Sequence, residues 1–391
     1  MPALPDVALE SQPRVQWEQN GHPHSAMWRS ENGARPPRKL VCIDDQTPAD
    51  VAYRWACEGT GLLWQGDFQN ARQMLQALGR RLDRRKAPPP AGDLTQAHHL
   101  HRKAQAERAR ILGMLLIPLQ PYHVIALRRA PDWRLACEEA YGPADSASVV
   151  SLRELLGVVG AHEWRKKGVP IQALGASIHP HHGVFSPVRG EYLDLVAQAP
   201  LPREALTTQG CAWDIGVGTG VLSALLLQRG VPRVVATDLS PKALDCARDN
   251  LTRLRLIQRC ELLTCDLFPA GKSPLIVCNP PWLPGKASSP VEQAVYDPDS
   301  RMLRGFLAGL GQHLTPDGEG WLILSDLAEH LGLRAKGELE GWIADAGLQV
   351  LGRLDTRPRH GKAQDKDDPL HAARSKEVTS LWRLGLPRSM G

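Results

Sequence analysis

The spacing of apolar side chains separates the chain into helical and strand-like stretches. Within residues 48–86, apolar positions recur three to four residues apart, as on one helix face: Ala71, Met74, Leu75, Leu78 and Leu82. Further helical patterns follow at 94–116, 133–141 and 151–164. We therefore predict a mainly helical substrate-recognition domain over residues 41–178. Residues 1–40 are polar and rich in Pro, Gly, Gln and Asn, so we expect a flexible arm there.

From residue 183 to 391, short apolar runs alternate with helical stretches. The runs that predict strands lie at 211–214, 234–237, 260–264, 274–278, 320–325, 348–354 and 377–384. Helical patterns lie between several of them, at 242–254, 300–314 and 333–346. Strands that alternate with helices favour a parallel sheet covered by helices on both faces, which is the doubly wound α/β class. We place this domain at residues 183–391.

The turn after the first of these strands is rich in glycine. The strand ends in Asp214, and Gly216-Val217-Gly218-Thr219-Gly220 follows before an apolar helix begins. A strand, a glycine turn and a helix in this order bind nucleotide-like ligands, because glycine reaches positive φ and lets the backbone approach a ligand closely. The second strand ends in Asp238, about twenty residues beyond the turn, where an acid accepts hydrogen bonds from ribose hydroxyls.

The third glycine comes one position earlier than in the dinucleotide pattern G-x-G-x-x-G. Together with the preceding Asp214, the turn resembles motif I of the class I S-adenosylmethionine-dependent methyltransferases. The resemblance implies a Rossmann-like sheet of seven strands that ends in an antiparallel pair. It also implies that S-adenosylmethionine is the cofactor and that Asp214 faces its methionine part. The other implied cofactor-binding residues of this corner are Gly216, Gly218, Gly220, Asp238 and Leu239.

The fourth strand leads into the tetrapeptide Asn279-Pro280-Pro281-Trp282. The prolines fix φ and remove two backbone donors, so nearby carbonyl groups lack partners, and Asn279 adds a side-chain carbonyl. Two acceptors and a flat ring suit a planar amino group whose lone pair points at a methyl donor. The tetrapeptide resembles the (Asn/Asp)-Pro-Pro-aromatic motif of amino-directed N-methyltransferases. The resemblance implies that Asn279 and Pro280 position the amine beside the cofactor, that Trp282 clamps it and that Pro281 contacts the substrate.

Other segments resemble the release-factor glutamine methyltransferases and the "small-domain" rRNA methyltransferases. Residues 183–193 resemble the stretch before motif I, which implies that Phe185 and Arg189 line the methionine end of the pocket. After the third strand, Asp266 and Leu267 match family positions beside the adenine ring. Residues 236–244 and the long loop after the tetrapeptide favour the release-factor type.

Length and composition limit the class of protein. A chain of 391 residues suits two or three domains, and its net charge of +5 permits an anionic partner without requiring one. No apolar run reaches about eighteen residues, so we expect no membrane span. The first residues have neither the basic start nor the apolar core of a signal peptide. The eight cysteines include no C-x-x-C pair and are expected to be reduced thiols in a cytoplasmic protein.

Two clusters invite interpretation as binding sites. From Arg72 to Arg110 there are ten Lys or Arg residues and three acids. This segment is either a patch for RNA or a ribosome-associated partner, or a solvated helix face without a partner; it contains no aromatic stacking platform. In His179-Pro180-His181-His182, the proline prevents helical spacing of the histidines and no nearby Cys or acid completes a ligand set, so we expect no metal site.

The resemblance implies that the chain is an N-methyltransferase acting on a planar amide or exocyclic amino nitrogen. The first hypothesis is a glutamine side chain of a protein. The alternative is adenine N6 or guanine N2 in rRNA or tRNA, because Trp282 has a larger ring than the tyrosine usual in release-factor enzymes. A third hypothesis is a non-catalytic RNA-binding or assembly factor that retains the fold. Methyl displacement needs in-line geometry more than a strong base, so no catalytic His or Glu is nominated.

Overall fold

The computed structural model describes residues 13–84, 93–187, 190–287, 291–358, 365 and 368–387. The chain forms two compact units. The first comprises Met1–Pro88 and Lys103–Gly160, and the second comprises Pro89–Arg102 and Ala161–Gly391. The second unit therefore includes a segment that precedes the predicted catalytic domain by many residues.

The first unit contains a mixed sheet of six strands in the order β1-β2-β6-β5-β4-β3. The strands are β1 (Arg14–Gln19), β2 (His22–Arg29), β3 (Leu40–Ile43), β4 (Gly61–Trp64), β5 (Leu115–Leu119) and β6 (Ser148–Ser151). The helices are α1 (Ala49–Cys57), α2 (Phe68–Asp83), α3 (Leu94–Leu112), α4 (Arg134–Tyr141) and α5 (Leu152–Lys167). The boundaries between the two units fall inside α3 and α5. Apolar side chains cover both faces of the sheet.

Helices predominate over residues 41–178, as predicted, but they pack on a six-stranded sheet that the apolar pattern did not indicate, and the described part of residues 1–40 forms strands where we expected a flexible arm. Strands β1 and β2 pair as an antiparallel hairpin around Asn20-Gly21, whose φ angles of 52° and 74° suit a tight turn. Strand β4 is buried at every position. A run of four buried residues shows no period, so the apolar pattern did not distinguish this strand from part of a helix.

The second unit contains a sheet of seven strands in the order β11-β10-β9-β12-β15-β17-β16. These are β9 (Cys211–Ile215), β10 (Arg233–Asp238), β11 (Cys260–Thr264), β12 (Ser273–Cys278), β15 (Leu314–Ser325), β16 (Gln349–Thr356) and β17 (Thr379–Gly385). Only β17 runs against its neighbours β15 and β16. The predicted α/β Rossmann-like sheet with a final antiparallel pair is thus confirmed.

Helices and short strands complete the second unit. The helices are α6 (Glu191–Gln198), α7 (Val221–Gln228), α8 (Pro241–Arg253), α9 (Arg301–His313), α10 (Leu327–His330), α11 (Glu338–Asp345) and α12 (His371–Arg374). The short strands are β7 (Val169–Ile171), β8 (Ala176–Ile178), β13 (Leu283–Pro284) and β14 (Tyr296–Asp297). Val169, Ile171 and Ile178 share a core with α7. The domain boundary predicted between residues 178 and 183 is therefore too late in the chain.

The large sheet is buried on both faces. One apolar layer includes α6, α7 and α8, and the other includes α9 and α11. Alternate residues of β9 enter opposite layers, as Ala212 and Trp213 do. This two-sided burial explains why the parallel strands are near-continuous apolar runs in the sequence. Among the described residues, no helix combines the length and the apolar character needed to cross a membrane.

Chain order reverses on either side of β9. The chain passes from β9 to β10 and β11 on one side and returns to β12 on the other. The loops at the carboxyl ends of β9 and β12 diverge there and leave a crevice, which is where open α/β sheets bind their ligands. Both predicted motifs, the glycine turn and the Asn-Pro-Pro-Trp tetrapeptide, follow these two strands directly.

Candidate active site

The turn between β9 and α7 depends on glycine. Gly216, Gly218 and Gly220 have φ angles of 79°, 51° and 79°, which side chains with a Cβ adopt only with strain. A Cβ at Gly220 would lie 3.2 Å from the Cα of Ala247 in α8. The turn therefore keeps its backbone N–H groups at the crevice while α7 packs closely against α8.

Asp214 is fully buried beneath this turn. Its Oδ2 accepts hydrogen bonds from the backbone N–H of Ser223 (3.0 Å) and from the Ser223 hydroxyl (2.6 Å). Its Oδ1 is buried and has no partner among the described residues. Burial raises the pKa of Asp214 to about 7, and the charge of nearby Asp238 acts in the same direction. A buried acceptor without a donor fits a cationic amino group, so this observation supports the predicted contact with the methionine part of the cofactor.

Asp238 stands at the carboxyl end of β10 and holds the glycine turn in place. Its Oδ2 accepts from the N–H of Gly218 (3.1 Å) and its Oδ1 from the N–H of Ser240 (2.9 Å). Each carboxylate oxygen keeps further acceptor capacity for a ribose hydroxyl. The neighbouring Leu239 is 58% exposed, an apolar side chain left available beside this acceptor.

Asp266, the residue predicted to contact the adenine ring, has a partner within the protein. Asp266 is exposed and forms an ion pair with Arg301 at the start of α9, so its carboxylate already has a cationic partner. Leu267 has a φ of 65°, and its carbonyl accepts a hydrogen bond from the Thr237 hydroxyl at 2.7 Å. This bond ties Leu267, which follows the third predicted strand and was expected to lie beside the adenine ring, to Thr237 of β10.

The tetrapeptide after β12 forms a hydrogen-bonded unit of its own. The Trp282 Nε1–H donates to the Asn279 Oδ1 at 2.9 Å. Tyr192, which is buried in α6, has its hydroxyl in a hydrogen bond with the Asn279 side chain, and burial raises the pKa of this phenol. The Asn279 amide is thus oriented from two sides. The carbonyl oxygen predicted to serve the acceptor already accepts one bond, and one lone pair remains.

Trp282 and the two prolines are partly or fully buried on the predicted acceptor side. The Trp282 ring is half-buried and packs against both apolar layers of the sheet. Pro280 is buried and Pro281 is half-buried. Part of the Trp282 ring is used in packing and its N–H holds Asn279, so the predicted clamping of the amine stays a prediction for the remaining exposed part of the ring.

The remaining predicted site residues lie before α6. Phe185 is exposed over 39% of its surface, and Arg189 lies outside the described residues. Sequence reasoning missed Tyr192, although it lies in the segment that carried the family resemblance. The usable signal was a tyrosine on the buried face of α6, because a buried phenol needs a polar partner.

The basic segment is partly neutralised within the first unit. Arg81 pairs with Asp50 at 2.7 Å, Arg108 with Asp83 at 2.6 Å, and Arg110 with Glu107 at 2.9 Å. The exposed basic residues include Arg72, Arg80, Arg84 and Lys103, whereas Arg85 and Lys86 lie outside the described residues. The folded surface therefore carries fewer unpaired basic side chains than the sequence of this segment suggests.

The histidine cluster contacts protein groups. The His179 Nδ1 lies 2.6 Å from the Arg165 carbonyl oxygen, and the His181 Nε2 lies 3.3 Å from the Asp249 Oδ2. Within the part of the chain that the structure describes, no group of three or more His, Cys, Asp or Glu residues is placed to hold a metal. The histidines have a structural explanation in these contacts.

Comparison with known proteins shows similarity to methyltransferases. Residues 175–332 match the family model of the methyltransferase small domain. The tRNA1(Val) (adenine(37)-N6)-methyltransferase of Shewanella halifaxensis is 30% identical over 162 residues, which cover 39% of this chain and 63% of that protein. The release factor glutamine methyltransferase of Cereibacter sphaeroides is 36% identical over 110 residues, covering 27% of this chain and 36% of that protein.

A longer match exists to a second enzyme of the latter name. The release factor glutamine methyltransferase of Mycolicibacterium smegmatis is 31% identical over 238 residues, which cover 57% of this chain and 74% of that protein. By contrast, the chain spans less than two thirds of the length of the Shewanella and Cereibacter proteins. These relatives carry names with different acceptors, a tRNA base and a protein side chain.

Proposed function

The chain belongs to the class I S-adenosylmethionine-dependent methyltransferases of the small-domain type, and from this premise we propose that it methylates the side-chain amide nitrogen of a glutamine in a protein. The observation that carries the proposal is the Asn279–Trp282 unit at the carboxyl end of β12, in the crevice beside β9. A glutamine amide is planar and presents two N–H groups, which match the remaining Asn279 lone pair and the Pro280 carbonyl.

The family cofactor fits the corner around β9 and β10. When bound, S-adenosylmethionine would supply a sulfonium methyl group whose carbon is open to direct attack by a nitrogen lone pair, with S-adenosylhomocysteine as the leaving group. Asp214 would pair with its amino group through the unpartnered Oδ1, and Asp238 would accept from its ribose hydroxyls. The glycine turn keeps the backbone close enough for both contacts.

The residues on the acceptor side act by orientation. Tyr192 and Trp282 hold the Asn279 amide, so that its oxygen faces the acceptor without reorganisation during the reaction. The amide nitrogen of the substrate becomes acidic only as its new bond forms, and its proton then passes to an adjacent oxygen acceptor and water. Restricted geometry supplies the rate enhancement in this proposal, and no His, Glu or Lys base is required.

The placement of Trp282 favours an amide over a nucleobase. Part of the ring packs against the protein core and its N–H is bonded to Asn279. Less of the indole face is therefore available for stacking on a base than its size suggests. A compact amide group needs little stacking area. The names of the Cereibacter and Mycolicibacterium relatives support the same acceptor class.

The second candidate is an exocyclic amine of adenine or guanine in RNA. It is favoured by the exposed Arg80 and Arg84 of the first unit and by the name of the Shewanella relative. The third candidate, a non-catalytic assembly factor, predicts that S-adenosylmethionine does not bind.

We place the activity in the cytoplasm, since all eight cysteines are free thiols, as expected in a reducing compartment.

The experiment that tests the proposal is transfer of labelled methyl groups to a cell lysate. We expect label in the protein fraction, resistant to ribonuclease and located by mass spectrometry on a glutamine side chain. Asn279→Ala is the matched control, because it removes the acceptor-orienting group and leaves the cofactor corner intact. Label in ribonuclease-sensitive material would replace the proposal by the RNA hypothesis. Failure of S-adenosylmethionine to bind in a direct titration would favour the assembly factor.

A further inference from the structure

The segment after Trp282 forms a loop with a paired base. Strands β13 and β14 align in parallel, with Leu283 beside Tyr296 and Pro284 beside Asp297. The Leu283 N–H donates to the Val295 carbonyl at 3.0 Å, and the Gly285 N–H donates to the Asp297 carbonyl at 3.2 Å. We call residues 283–287 and 292–297 the acceptor loop, since β13 begins directly after the tetrapeptide. These two described stretches are its first and second arms.

The far arm of the acceptor loop is fixed to α9. The buried Asp297 carboxylate accepts hydrogen bonds from the N–H groups of Met302 (2.7 Å) and Leu303 (3.3 Å) at the start of that helix. These bonds satisfy donors that an α-helix leaves free at its first turn. They fix one end of β14 and involve no described residue of the acceptor loop other than Asp297.

The first part of α3 packs on the same region of the second unit. Leu94 and Ala97 pack against an apolar cluster made of Leu283, Ala328, Leu331, Leu370 and Ala373. The Thr95 hydroxyl donates to the Leu331 carbonyl at 2.9 Å. These contacts place the residues up to Arg102 beside the acceptor loop, although about two hundred positions separate them in sequence.

Arg102 contacts both arms of the acceptor loop. Its Nη2 donates to the Lys286 carbonyl oxygen at 2.7 Å on the first arm. On the second arm it lies 3.5 Å from the Glu292 carboxylate, and its guanidinium carbon is 3.9 Å from the centre of the Tyr296 ring. A planar cation with several donors can bond and stack at the same time, which a lysine cannot do.

Gly285 provides the space for this arrangement. Its φ is 149°, and a Cβ there would lie 3.3 Å from the Tyr296 ring and 3.4 Å from the Arg102 guanidinium. Both the conformation and the close approach favour glycine. The loop backbone and the Arg102 side chain therefore form one packed unit.

We propose that Arg102 is a positioning residue of the catalytic unit, which joins the two arms of the acceptor loop and so fixes the wall against which the acceptor protein binds. The proposal rests on the proposed function, because that function makes the surface after Trp282 the acceptor side. It assigns part of acceptor recognition to a residue that precedes the glycine turn by more than a hundred positions. Arg102 does not contact the reacting atoms, so it acts through the loop.

Tryptic cleavage of the full-length protein tests the positioning role without any acceptor. The Lys286–Ala287 bond lies next to the carbonyl that Arg102 holds. Arg102→Ala should raise the rate of cleavage there by about fivefold or more, since local opening controls proteolysis. Arg102→Lys keeps the charge but loses the stacking geometry and should be intermediate. Lys272→Ala removes an exposed positive charge at the opposite end of β12 and should match the wild type.

Kinetics then test the role in acceptor binding. Arg102→Ala should raise the KM for the acceptor protein by about tenfold with kcat lowered less than threefold. Affinity for S-adenosylmethionine should be unchanged. Gly285→Ala, which forces a methyl group between Tyr296 and Arg102, should reproduce both effects.

Two results would overturn the inference: cleavage of Arg102→Ala at the wild-type rate, or an acceptor KM equal to that of the wild type despite faster cleavage. The second would make Arg102 a structural residue only. If the wild type transfers no methyl group to protein, the proposed function fails, whereas the cleavage comparison still decides whether Arg102 holds the loop.

Discussion

The cofactor side and the acceptor side of the candidate site are assembled from the chain in different ways. On the cofactor side, Asp214, Gly218 and Asp238 come from two neighbouring strands and the turn between them, within residues 211–240. The acceptor side brings together Arg102, Tyr192 and Asn279, which are far apart in the sequence. The first side is fixed mainly by backbone geometry, and the second by contacts between side chains.

This difference has a functional consequence. A corner made of glycine conformations and backbone N–H groups accepts one ligand class and tolerates little change. A wall made of side chains from separate elements can change its acceptor by substitution without loss of the cofactor site. Relatives named as a tRNA methyltransferase and as a release factor methyltransferase are both similar to this chain. Changes on the two sides should therefore have separable effects on kcat and on cofactor affinity.

The largest effect is expected from Asn279. Asn279→Ala should lower kcat by on the order of 10²–10³, similar to loss of one preorganised polar partner. The affinity for S-adenosylmethionine should change little, because Asn279 faces the acceptor. The measurement is single-turnover methyl transfer combined with calorimetric titration of the cofactor.

Asn279→Asp sharpens this test. A carboxylate can still accept from the Trp282 N–H, so Asp should retain more activity than Ala. If Asp is as inactive as Ala while the fold and cofactor binding are preserved, the amide NH2 donates to the substrate. The proposed arrangement around the acceptor nitrogen would then be wrong.

The next effect concerns cofactor binding by Asp238. Asp238→Ala removes the acceptor for the Gly218 and Ser240 N–H groups together with the predicted ribose contacts. We expect S-adenosylmethionine to bind more weakly by about 1.5–3 kcal/mol. Asp317→Ala is the matched control: its carboxylate is exposed near the start of β15, away from the carboxyl ends of the strands, so the affinity should be unchanged. Equal affinities for wild type and Asp238→Ala in a titration would remove Asp238 from the site.

A smaller effect should come from pH. Burial raises the pKa of Asp214 to about 7, so the free protein retains this proton at lower pH. Pairing with the cofactor amino group requires the carboxylate, and the proton must leave on binding. Affinity for S-adenosylmethionine should therefore fall as pH drops through 7, by about tenfold for each pH unit well below it.

Calorimetry at pH 6 and 7.5 in buffers of different ionisation enthalpy would measure the released proton. Asp214→Asn should bind more weakly at pH 7.5, and its affinity should no longer decrease towards pH 6. The same pH dependence in Asp214→Asn and in the wild type would show that another group titrates.

The smallest effect is expected from the exposed arginines of the first unit. Arg80→Ala combined with Arg84→Ala should change methyl transfer to a protein acceptor less than about twofold at low salt, as expected of a solvated surface. Arg81, which pairs with Asp50, should be left unchanged in this variant. If RNA is the acceptor, binding should weaken and the slope of log K against log salt should fall by about two. That outcome would show that residues of the first unit take part in binding the acceptor.

Local patterns in the sequence predicted the large sheet, which the structure contains, and indicated where a cofactor corner would lie. Asp214, the three glycines and Asp238 lie close together in the chain: the glycines act through their backbone conformation, and the two carboxylates accept hydrogen bonds from N–H groups of the same segment. The Asn-Pro-Pro-Trp tetrapeptide could be recognised for the same reason. Buried parallel strands gave apolar runs long enough to separate them from the helices between them.

Tertiary structure alone decided the details of the acceptor side and the fold of the first unit. No local pattern indicates that Arg102 contacts the carbonyl of Lys286, that Tyr192 holds Asn279 or that Arg301 pairs with Asp266. The hairpin of β1 and β2 and the short strand β4 were missed because strands of four to eight residues gain their stability from partners elsewhere in the sheet. Local conformational preference is encoded within a few residues, whereas side-chain contacts depend on which distant segments the packed core brings together.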